Sequence, residues 1–383
     1  MGNLFKKMDK PLFFVTLILC VIGLVMVFSA SSVAAVLQYK VSTYYFFRKQ
    51  LIVMVAGFVF GFIVILNFPI KRYQYLKSIM MLAIMAALGG LIAYGTFTNG
   101  SRSWYRLGFF SLQPSEFAKT IVVIYIACYF GKNINCERRF FFLRPIIACA
   151  LIAVMIFLQP DLGTAAIIGL TVFLMFMAVP FSKNDKDVKF FKILGVIFVT
   201  GVIGVMIFGG ELLNSEQASR LTYRAPCTRY EAKTGYQVCN GMIAINNGGL
   251  FGVGLGNSTQ KYLYLPEAHT DFIFPIIVEE LGSIVGSIII LLYIYMLFRI
   301  LKIAKKAKDL TGSLIAYGTF LTILLHLVIN FGGILALIPL TGVPVPLLSY
   351  GGSNVLNIIA LIFLTLRVSI EANDKPQKNV HHK

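Results

Sequence analysis

The ionisable side chains best suited to chemistry are concentrated in the stretch 247–282. Glu267, His269 and Asp271 alternate there, so an extended backbone would place all three side chains on one side of the chain. Such a group can bind a metal ion, although the spacing typical of a zinc protease helix is missing. A structural interpretation is also open, because Thr270 or Asp271 can cap the following helix, and capping lowers the pKa of a carboxylate.

Two further carboxylates, Glu279 and Glu280, lie two to three helical turns beyond Asp271. A carboxylate inside a membrane is costly unless it is paired or hydrated, so we expect at least one of them to face a polar cleft shared with Asp271. The glycines of Gly252–Gly256 precede this segment. No strand comes before them, which favours close backbone approach or an anion site over a nucleotide site.

The rest of the chain is largely apolar. Of its 383 residues, 58% are hydrophobic and only 13% are charged, and the mean hydropathy is +0.81. This composition predicts an all-α, polytopic integral membrane protein. The formal net charge of +18 is spread over short clusters between apolar segments. That pattern is typical of membrane topology and argues against a nucleic-acid partner.

About ten apolar segments are long enough to cross roughly 30 Å of hydrocarbon. Most of the 34 lysines and arginines fall in alternate connections, which predicts that both termini are cytoplasmic. The first segment is longer than a signal-peptide core, so we read it as an uncleaved helix. The prediction is one membrane domain over 1–383, with a large extracytoplasmic loop at 210–270 between helices seven and eight and a cytoplasmic tail at 370–383. The predicted spans are 11–32, 49–68, 76–97, 112–130, 142–159, 163–180, 190–209, 271–298, 313–337 and 345–368.

Connections on the predicted outer side carry further candidate residues. Arg102 and Arg106 flank Trp104, the single tryptophan. Two arginines around aromatic rings suit a diphosphate and a sugar face. An interfacial aromatic belt with snorkelling arginines explains the same pattern.

A helix start is predicted at Gln113, because a proline and then Glu116 follow it directly. Glu116 and Lys119 are three positions apart and can pair on one helix face. Helix capping alone would explain this motif, but an ionisable pair at the mouth of a membrane helix also marks a candidate site. Asp161 is either a turn former or a partner for the arginines or for a metal.

The last outer connection is rich in proline and glycine, which predicts broken helices beside a polar cavity. Ser349 and Tyr350 would there either donate hydrogen bonds to a ligand or serve packing. In the large loop, Cys227 and Cys239 can close a disulfide if the compartment is oxidising. The sequence leaves both questions open.

Four long motifs occur in order along the apolar spans: SRSWYRLGFFSLQPSEFAK, QPDLGTA, GVGLGNSTQKYLYLPEAHTDFIFPIIVEELG and GVPVPLLSYGGSN. Together they resemble the SEDS family (shape, elongation, division and sporulation) over nearly the whole chain, and its division members most. The resemblance implies a peptidoglycan glycosyltransferase that polymerises lipid II at the outer face of the cytoplasmic membrane. It also implies a class B penicillin-binding protein as crosslinking partner, together with other divisome membrane proteins at the septum.

The resemblance also implies roles for individual residues. The aspartate required in the family is Asp271 here, and it would act as general base. The leaving diphosphate would be met by basic side chains or by a divalent cation, Mg or Mn. A lipid II flippase and a non-catalytic scaffold that activates the transpeptidase remain alternatives. The residues expected to bind substrate are Arg102, Trp104, Arg106, Gln113, Glu116, Lys119, Asp161, Lys261, Glu267, His269, Ser349 and Tyr350, with Arg220 as a further candidate for the diphosphate.

Overall fold

The computed structural model describes residues 2–94, 96–98, 101–107, 110–134, 140–181, 186–208, 225–230 and 233–374. Its main elements are helices. The helices are α1 Gly2–Lys7, α2 Lys10–Leu37, α3 Tyr45–Phe60, α4 Tyr73–Tyr94, α5 Pro114–Asn133, α6 Leu143–Phe157, α7 Leu162–Ala178, α8 Lys186–Phe208, α9 Lys233–Gly248, α10 Ile273–Lys306, α11 Leu310–Ile334 and α12 Gly352–Asn373. The strands are β1 Thr96–Thr98, β2 Ser101–Leu107 and β3 Phe110–Leu112. One small antiparallel sheet, with strand order β1, β2, β3, lies between α4 and α5 in the chain.

Each of the ten predicted spans overlaps one of these helices. Within the described ranges, six helical stretches have both the length and the hydropathy to cross a membrane, namely Lys10–Leu37, Tyr45–Ile65, Ile70–Leu91, Ile273–Lys306, Leu310–Ile334 and Gly352–Asn373. Helices α6 and α7 are apolar but shorter. The chain is therefore a multi-pass helical membrane protein.

Helices α11 and α12 form the centre of the bundle. Most of their residues are buried, whereas α3 and α4 expose much of their apolar surface. Both central helices carry buried polar side chains in otherwise apolar sequence, among them His326, Asn330 and Asn357. Polar groups kept away from lipid at the axis of a bundle are where a membrane protein can build a site.

The large loop between α8 and α10 contains regular structure that hydropathy alone does not indicate. Helix α9 lies within it and packs against α10. Its apolar residues are few and are interrupted by asparagines, so a search for long apolar runs passes over it. A disulfide joins Cys227 to Cys239 and ties the short segment before α9 to that helix. The question that the sequence left open is thus answered in favour of the disulfide.

Helix α10 is interrupted near its N-terminal end. Gly282 has a φ of 87° and a ψ of 163°, and the backbone of the 249–254 segment pairs with the helix at this break. Val253 N donates to Glu279 O at 2.9 Å, and Gly254 N donates to Glu280 O at 2.9 Å. A Cβ on Gly282 would lie only 2.2 Å from Leu250 O. The glycine-rich segment therefore serves close backbone approach, one of the two roles predicted for it, and its amides bond helix carbonyls.

Candidate functional site

A cavity of about 970 Å³ lies between α3, α5, α7, α11 and α12, beside the loop that precedes α10. One wall is apolar, with Ile52, Val53, Ala56 and Leu356. Many of the other lining residues are polar, although most of the cavity surface is apolar. Eight of the predicted site residues line this cavity: Trp104, Gln113, Glu116, Lys119, Asp161, Glu267, His269 and Tyr350.

Asp271 is buried at the edge of this cavity, with 8% of its surface exposed. A Cβ built on the cavity residue Gly342 would lie 3.8 Å from Asp271 Oδ2. The Asp271 backbone is fixed by Asn330, whose amide nitrogen donates to Asp271 O at 2.8 Å and to Val343 O at 2.7 Å. Helix α11 thus holds the loop that carries the carboxylate.

The capping interpretation of Thr270 and Asp271 is wrong. The residue at the N-cap of α10 is Phe272, and its side chain makes no capping hydrogen bond in the described part of the chain. The Asp271 carboxylate instead accepts from the Thr270 hydroxyl, at 3.0 Å from Oδ1. The same hydroxyl lies 2.8 Å from Glu267 Oε2. One hydroxyl proton is shared by two carboxylates, so it can be donated to only one of them at a time.

Burial, with a smaller contribution from the charge of Glu267, raises the pKa of Asp271 to about 7. Hydrogen bonds from the backbone amide of Asp271 and from Thr270 act the other way and are smaller effects. Burial also lowers the pKa of His269 below its usual value, against the opposing charge of Glu267. At neutral pH the site therefore holds a carboxylate that is partly ionised and unusually basic, beside a neutral imidazole.

His269 lies in an aromatic pocket. Its ring centroid is 4.7 Å from that of Phe46 and 5.6 Å from that of Tyr350. Tyr350 N donates to His269 O at 2.9 Å. Burial raises the pKa of Tyr350 to about 12, so its hydroxyl keeps its proton and stays available as a donor.

A second polar group lies deeper, among α5, α11 and α12. The predicted pair is confirmed, since Lys119 Nζ is 2.8 Å from Glu116 Oε2 and their side chains are 1% and 5% exposed. Lys119 also lies 2.8 Å from His326 Nε2, and His326 Nδ1 is 3.2 Å from Pro344 O. A lysine donates only, so this geometry leaves the proton of a neutral imidazole on Nδ1.

Asp161 has the structural role considered for it, at a turn that starts a helix, while a partnership with the arginines or with a metal stays a prediction. Its carboxylate caps α7 by accepting from Thr164 N at 3.1 Å. It also accepts from Gln113 Nε2 at 3.1 Å and from Ser115 Oγ at 3.2 Å. The start of α5 and the start of α7 are thereby joined at the cavity wall.

Several expected residues lie elsewhere. Lys261 is absent from the cavity wall and is buried against Glu280, with Nζ 2.9 Å from Oε1 and side chains 3% and 0% exposed. The expected cleft at Glu279 and Glu280 is also wrong. Glu279 accepts from Thr259 Oγ1 at 2.9 Å as well as from the Ser258 hydroxyl, and Glu280 accepts from Ser29. These carboxylates hold the loop onto α10.

The remaining predicted residues are placed as follows. Ser349 Oγ accepts from Val345 N at 2.9 Å, so this serine closes a turn beside the cavity. Arg102 and Arg106 belong to β2, but their side chains lie outside what the structure describes, as does all of Arg220. No group of three or more His, Cys, Asp or Glu residues within the described ranges is arranged to hold a metal. A cation here would need oxygens from a ligand as well.

The cavity residues that were not anticipated include four polar side chains on membrane helices: Lys49, Gln50, His326 and Asn354. Asn354 is 5% exposed, and neither of its amide atoms has a partner among the described residues. Their only signal in the sequence is a polar type inside an apolar span. Sequence alone does not say whether such a residue faces a cavity or a neighbouring helix.

The fold and the cavity together define a multi-pass helical membrane protein with a cavity that has polar and apolar walls and ends beside a buried, basic carboxylate. The family model described as a cell cycle protein, covering FtsW, RodA and SpoVE, matches residues 10–374. The chain belongs to this family, which confirms the resemblance read from its motifs.

Curated relatives match nearly the full length. The probable peptidoglycan glycosyltransferase FtsW of Bacillus subtilis is 35% identical over 373 residues, covering 96% of this chain and 92% of the relative. Stage V sporulation protein E of the same organism is 36% identical over 371 residues, covering 94% and 96%.

Solved structures share the fold. A chain from a peptidoglycan synthase complex that coordinates polymerization and crosslinking has a TM-score of 0.74 and 21% identity, covering 95% of this chain and 98% of that one. The rod shape determining protein RodA of Thermus thermophilus has a TM-score of 0.66 and 22% identity, covering 94% and 96%.

Proposed function

We propose that this chain is an inverting glycosyltransferase that polymerises lipid II, a polyprenyl-diphosphate-linked disaccharide-peptide, into glycan strands. The observation that carries the proposal is Asp271. Its side chain is buried at the cavity edge and does not cap α10, and its pKa is raised to about 7. A general base works best when its pKa is close to the working pH. The relatives named peptidoglycan glycosyltransferase support the same activity.

In the proposed reaction, Asp271 accepts the proton of the C4 hydroxyl of one lipid II molecule. The C4 oxygen forms a bond to C1 of the lipid-linked sugar at the growing end, and the bond from C1 to the diphosphate oxygen breaks with inversion. Polyprenyl diphosphate leaves with the bonding electron pair. Asn330 and Thr270 keep the carboxylate in place for this step.

The cavity offers a matching surface to each part of the substrate. Ile52, Val53, Ala56 and Leu356 line an apolar wall suited to the polyprenyl chain. Trp104 and Tyr350 present aromatic rings, which commonly pack on sugar faces. The diphosphate would be met by Lys49 and by the arginines of β2, because Lys119 is already paired with Glu116.

A divalent cation, Mg or Mn, is part of the proposal. Glu267 would hold it together with the diphosphate, since metals of this kind are bound through one or two carboxylates plus substrate phosphates. Asp271 stays free of the cation and keeps its role as base. The two carboxylates are close together, because both lie within hydrogen-bond distance of one Thr270 hydroxyl. The cation would neutralise charge that develops on the leaving group.

The test is polymerisation of purified lipid II by the chain bound to its partner, with the partner's own active serine blocked. We propose a class B penicillin-binding protein as that partner, on the strength of the fold shared with a complex that polymerises and crosslinks. Asp271→Asn should reduce polymer formation by at least about a thousandfold, a loss expected when a general base and its precise placement are removed together. Normal polymer from this variant would refute the assignment. No polymer from the wild-type chain would instead favour a flippase or a scaffold.

The setting of this reaction is proposed as well. Ten spans with both termini cytoplasmic would place the Asp271 side of the cavity outside the cytoplasmic membrane. The likeness to division relatives supports a place at the septum with other divisome membrane proteins. Fluorescent tagging of the chain should give a septal band, and a uniform sidewall signal would contradict the division role.

A further inference from the structure

The segment that connects α9 to the loop carrying Asp271 reaches unusually far down α10. Helix α10 has 34 residues, which is more than the roughly 20 needed to cross hydrocarbon. Its inner end is marked by Arg299, which binds Asp9 at the start of α2. Counting about 20 residues outward from Arg299 places the outer hydrocarbon boundary near Glu279. Gly282 and Ile284 then lie inside the membrane.

The tip of the connecting segment, which we define as Leu250 and Phe251, lies at that depth. Ser283 N donates to Gly249 O at 3.0 Å, and Ile284 N donates to Leu250 O at 3.3 Å. These bonds fix the height of the tip relative to α10. The tip is therefore level with residues about one turn inside the hydrocarbon boundary.

The tip is strongly apolar and exposed. Leu250 is 63% exposed and Phe251 is 82% exposed. Directly below them, Ile284, Ile288 and Leu291 of α10 are 44%, 50% and 62% exposed. These three follow the spacing of one helix face, which in a spanning helix faces lipid. The tip extends that lipid-facing surface toward the outer end of α10.

Many polar groups around the tip are paired within the chain, which lowers the cost of placing them at membrane depth. Gly252 N donates to Gly248 O at 2.7 Å, and the next two amides bond the carbonyls freed by the break in α10. The hydroxyl of Ser283 donates to Gly249 O at 2.6 Å, and that of Ser287 donates to Ser283 O at 2.8 Å. The tip therefore presents mainly apolar side chains outward.

We propose that the stretch from α9 to Asp271 is a re-entrant membrane segment whose tip is inserted among the acyl chains of the leaflet on the Asp271 side. The partner of this surface is lipid. Insertion would hold the loop that carries Asp271 at a set height above the bilayer, close to where a lipid-linked sugar emerges.

The test uses tryptophan fluorescence in nanodiscs made with brominated phosphatidylcholine, because bromine quenches tryptophan on contact. The chain has one tryptophan, so wild-type protein supplies a constant baseline. Three single variants are compared: Phe251→Trp at the tip, Leu291→Trp at an exposed position on α10, and Tyr230→Trp in the disulfide-linked segment above. All three positions are exposed aromatic or apolar sites, and at Tyr230 tryptophan keeps an aromatic ring beside Tyr236.

We expect the added tryptophan of Phe251→Trp to emit at shorter wavelength than that of Tyr230→Trp. Its emission should be quenched most by lipids whose bromines lie near the headgroup. The tryptophan of Leu291→Trp should lose more with bromines near the chain ends, and that of Tyr230→Trp should lose little with either. Quenching of Phe251→Trp no greater than that of Tyr230→Trp would overturn the proposal. The proposal would also be overturned if the tryptophan of Phe251→Trp were protected from bromine quenching until the sample was diluted. Such a result would show that a second molecule of this chain covers the tip.

Discussion

Asp271 and Glu267 share a hydrogen-bond donor. Both are close to the Thr270 hydroxyl, which has one proton to give. Helix capping would have supplied Asp271 with backbone amides and made it a weak base, but α10 begins at Ile273, beyond its reach. Burial and a like charge then determine the pKa of Asp271, and both raise it.

The first prediction concerns the charge of Glu267. This charge raises the pKa of Asp271, so removing it in Glu267→Gln should lower that pKa. A base of lower pKa stays ionised at lower pH. In a plot of polymerisation rate against pH, the acid limb, where the rate falls as the pH is lowered, should therefore shift to lower pH by roughly half a pH unit or more. The measurement is the rate of lipid II polymerisation against pH.

Glu267→Asp is the matched control, because it keeps the charge while shortening the side chain. Its acid limb should stay closer to that of the wild type. If Glu267→Gln leaves the limb in place and only lowers the rate, Glu267 acts on the substrate and not through Asp271.

At the scale of elements, the loop before α10 is held by hydrogen bonds to α10 itself, at the break in that helix. The break at Gly282 exposes carbonyls that pair with the 249–254 segment, while Glu279 and Glu280 bind the following residues from inside the protein. Two carboxylates that looked like part of a cleft are thus structural. They position the segment that ends in Asp271.

The second prediction concerns Gly282. An alanine there would have a positive φ and a Cβ 2.2 Å from Leu250 O, so Gly282→Ala should destabilise the protein. We expect a loss of at least roughly 2 kcal/mol, measured by unfolding in detergent. Gly169→Ala in α7 is the control, because a Cβ there meets nothing within 4 Å. It should be neutral or slightly stabilising. Equal effects of the two changes would contradict the role of the break.

The third prediction separates a structural role of Lys261 from substrate binding. Lys261→Met leaves Glu280 buried without its partner, which should cost about 3–5 kcal/mol. Adding Glu280→Gln should recover much of that loss, and a cycle of the two single variants and the double variant measures the coupling. A Lys261→Met protein that unfolds like the wild type but binds lipid II weakly would favour the role first assigned from the motif.

At the scale of the whole molecule, the cavity depends on helices distant in sequence. Its walls come from α3, α5, α7, α11 and α12, and its edge comes from the loop before α10. Helix α9 packs against α10, and the disulfide holds the segment before α9 to that helix. A disulfide persists in an oxidising compartment, so its presence agrees with the predicted outer position of this segment.

The fourth prediction concerns this disulfide. Replacing both cysteines in Cys227→Ser/Cys239→Ser should destabilise the 225–248 region by about 3 kcal/mol in the chain-entropy model for a loop of this size. Limited proteolysis of the protein in nanodiscs should show faster cleavage there than in the wild type. Reduction of intact cells followed by a membrane-impermeant thiol reagent should label the wild-type pair. Absence of labelling would place the segment on the inner side.

The sequence by itself determined the class of fold, because a long apolar segment that spans a membrane must pair its backbone polar groups internally, as a helix does. It also determined the Glu116–Lys119 pair, which depends only on local helix spacing, and the family, which depends on long motifs. Asp271 was selected in the same way, by its place in a motif.

Only the tertiary structure decided what surrounds these residues. Whether Asp271 caps a helix, whether Lys261 faces substrate or Glu280, and whether His326 meets Lys119 all depend on contacts across more than a helical turn. Glu279 and Glu280 show the physical reason. A buried carboxylate must be paired, but the partner comes from whichever segment packs against it, and residue types along one helix do not specify that segment.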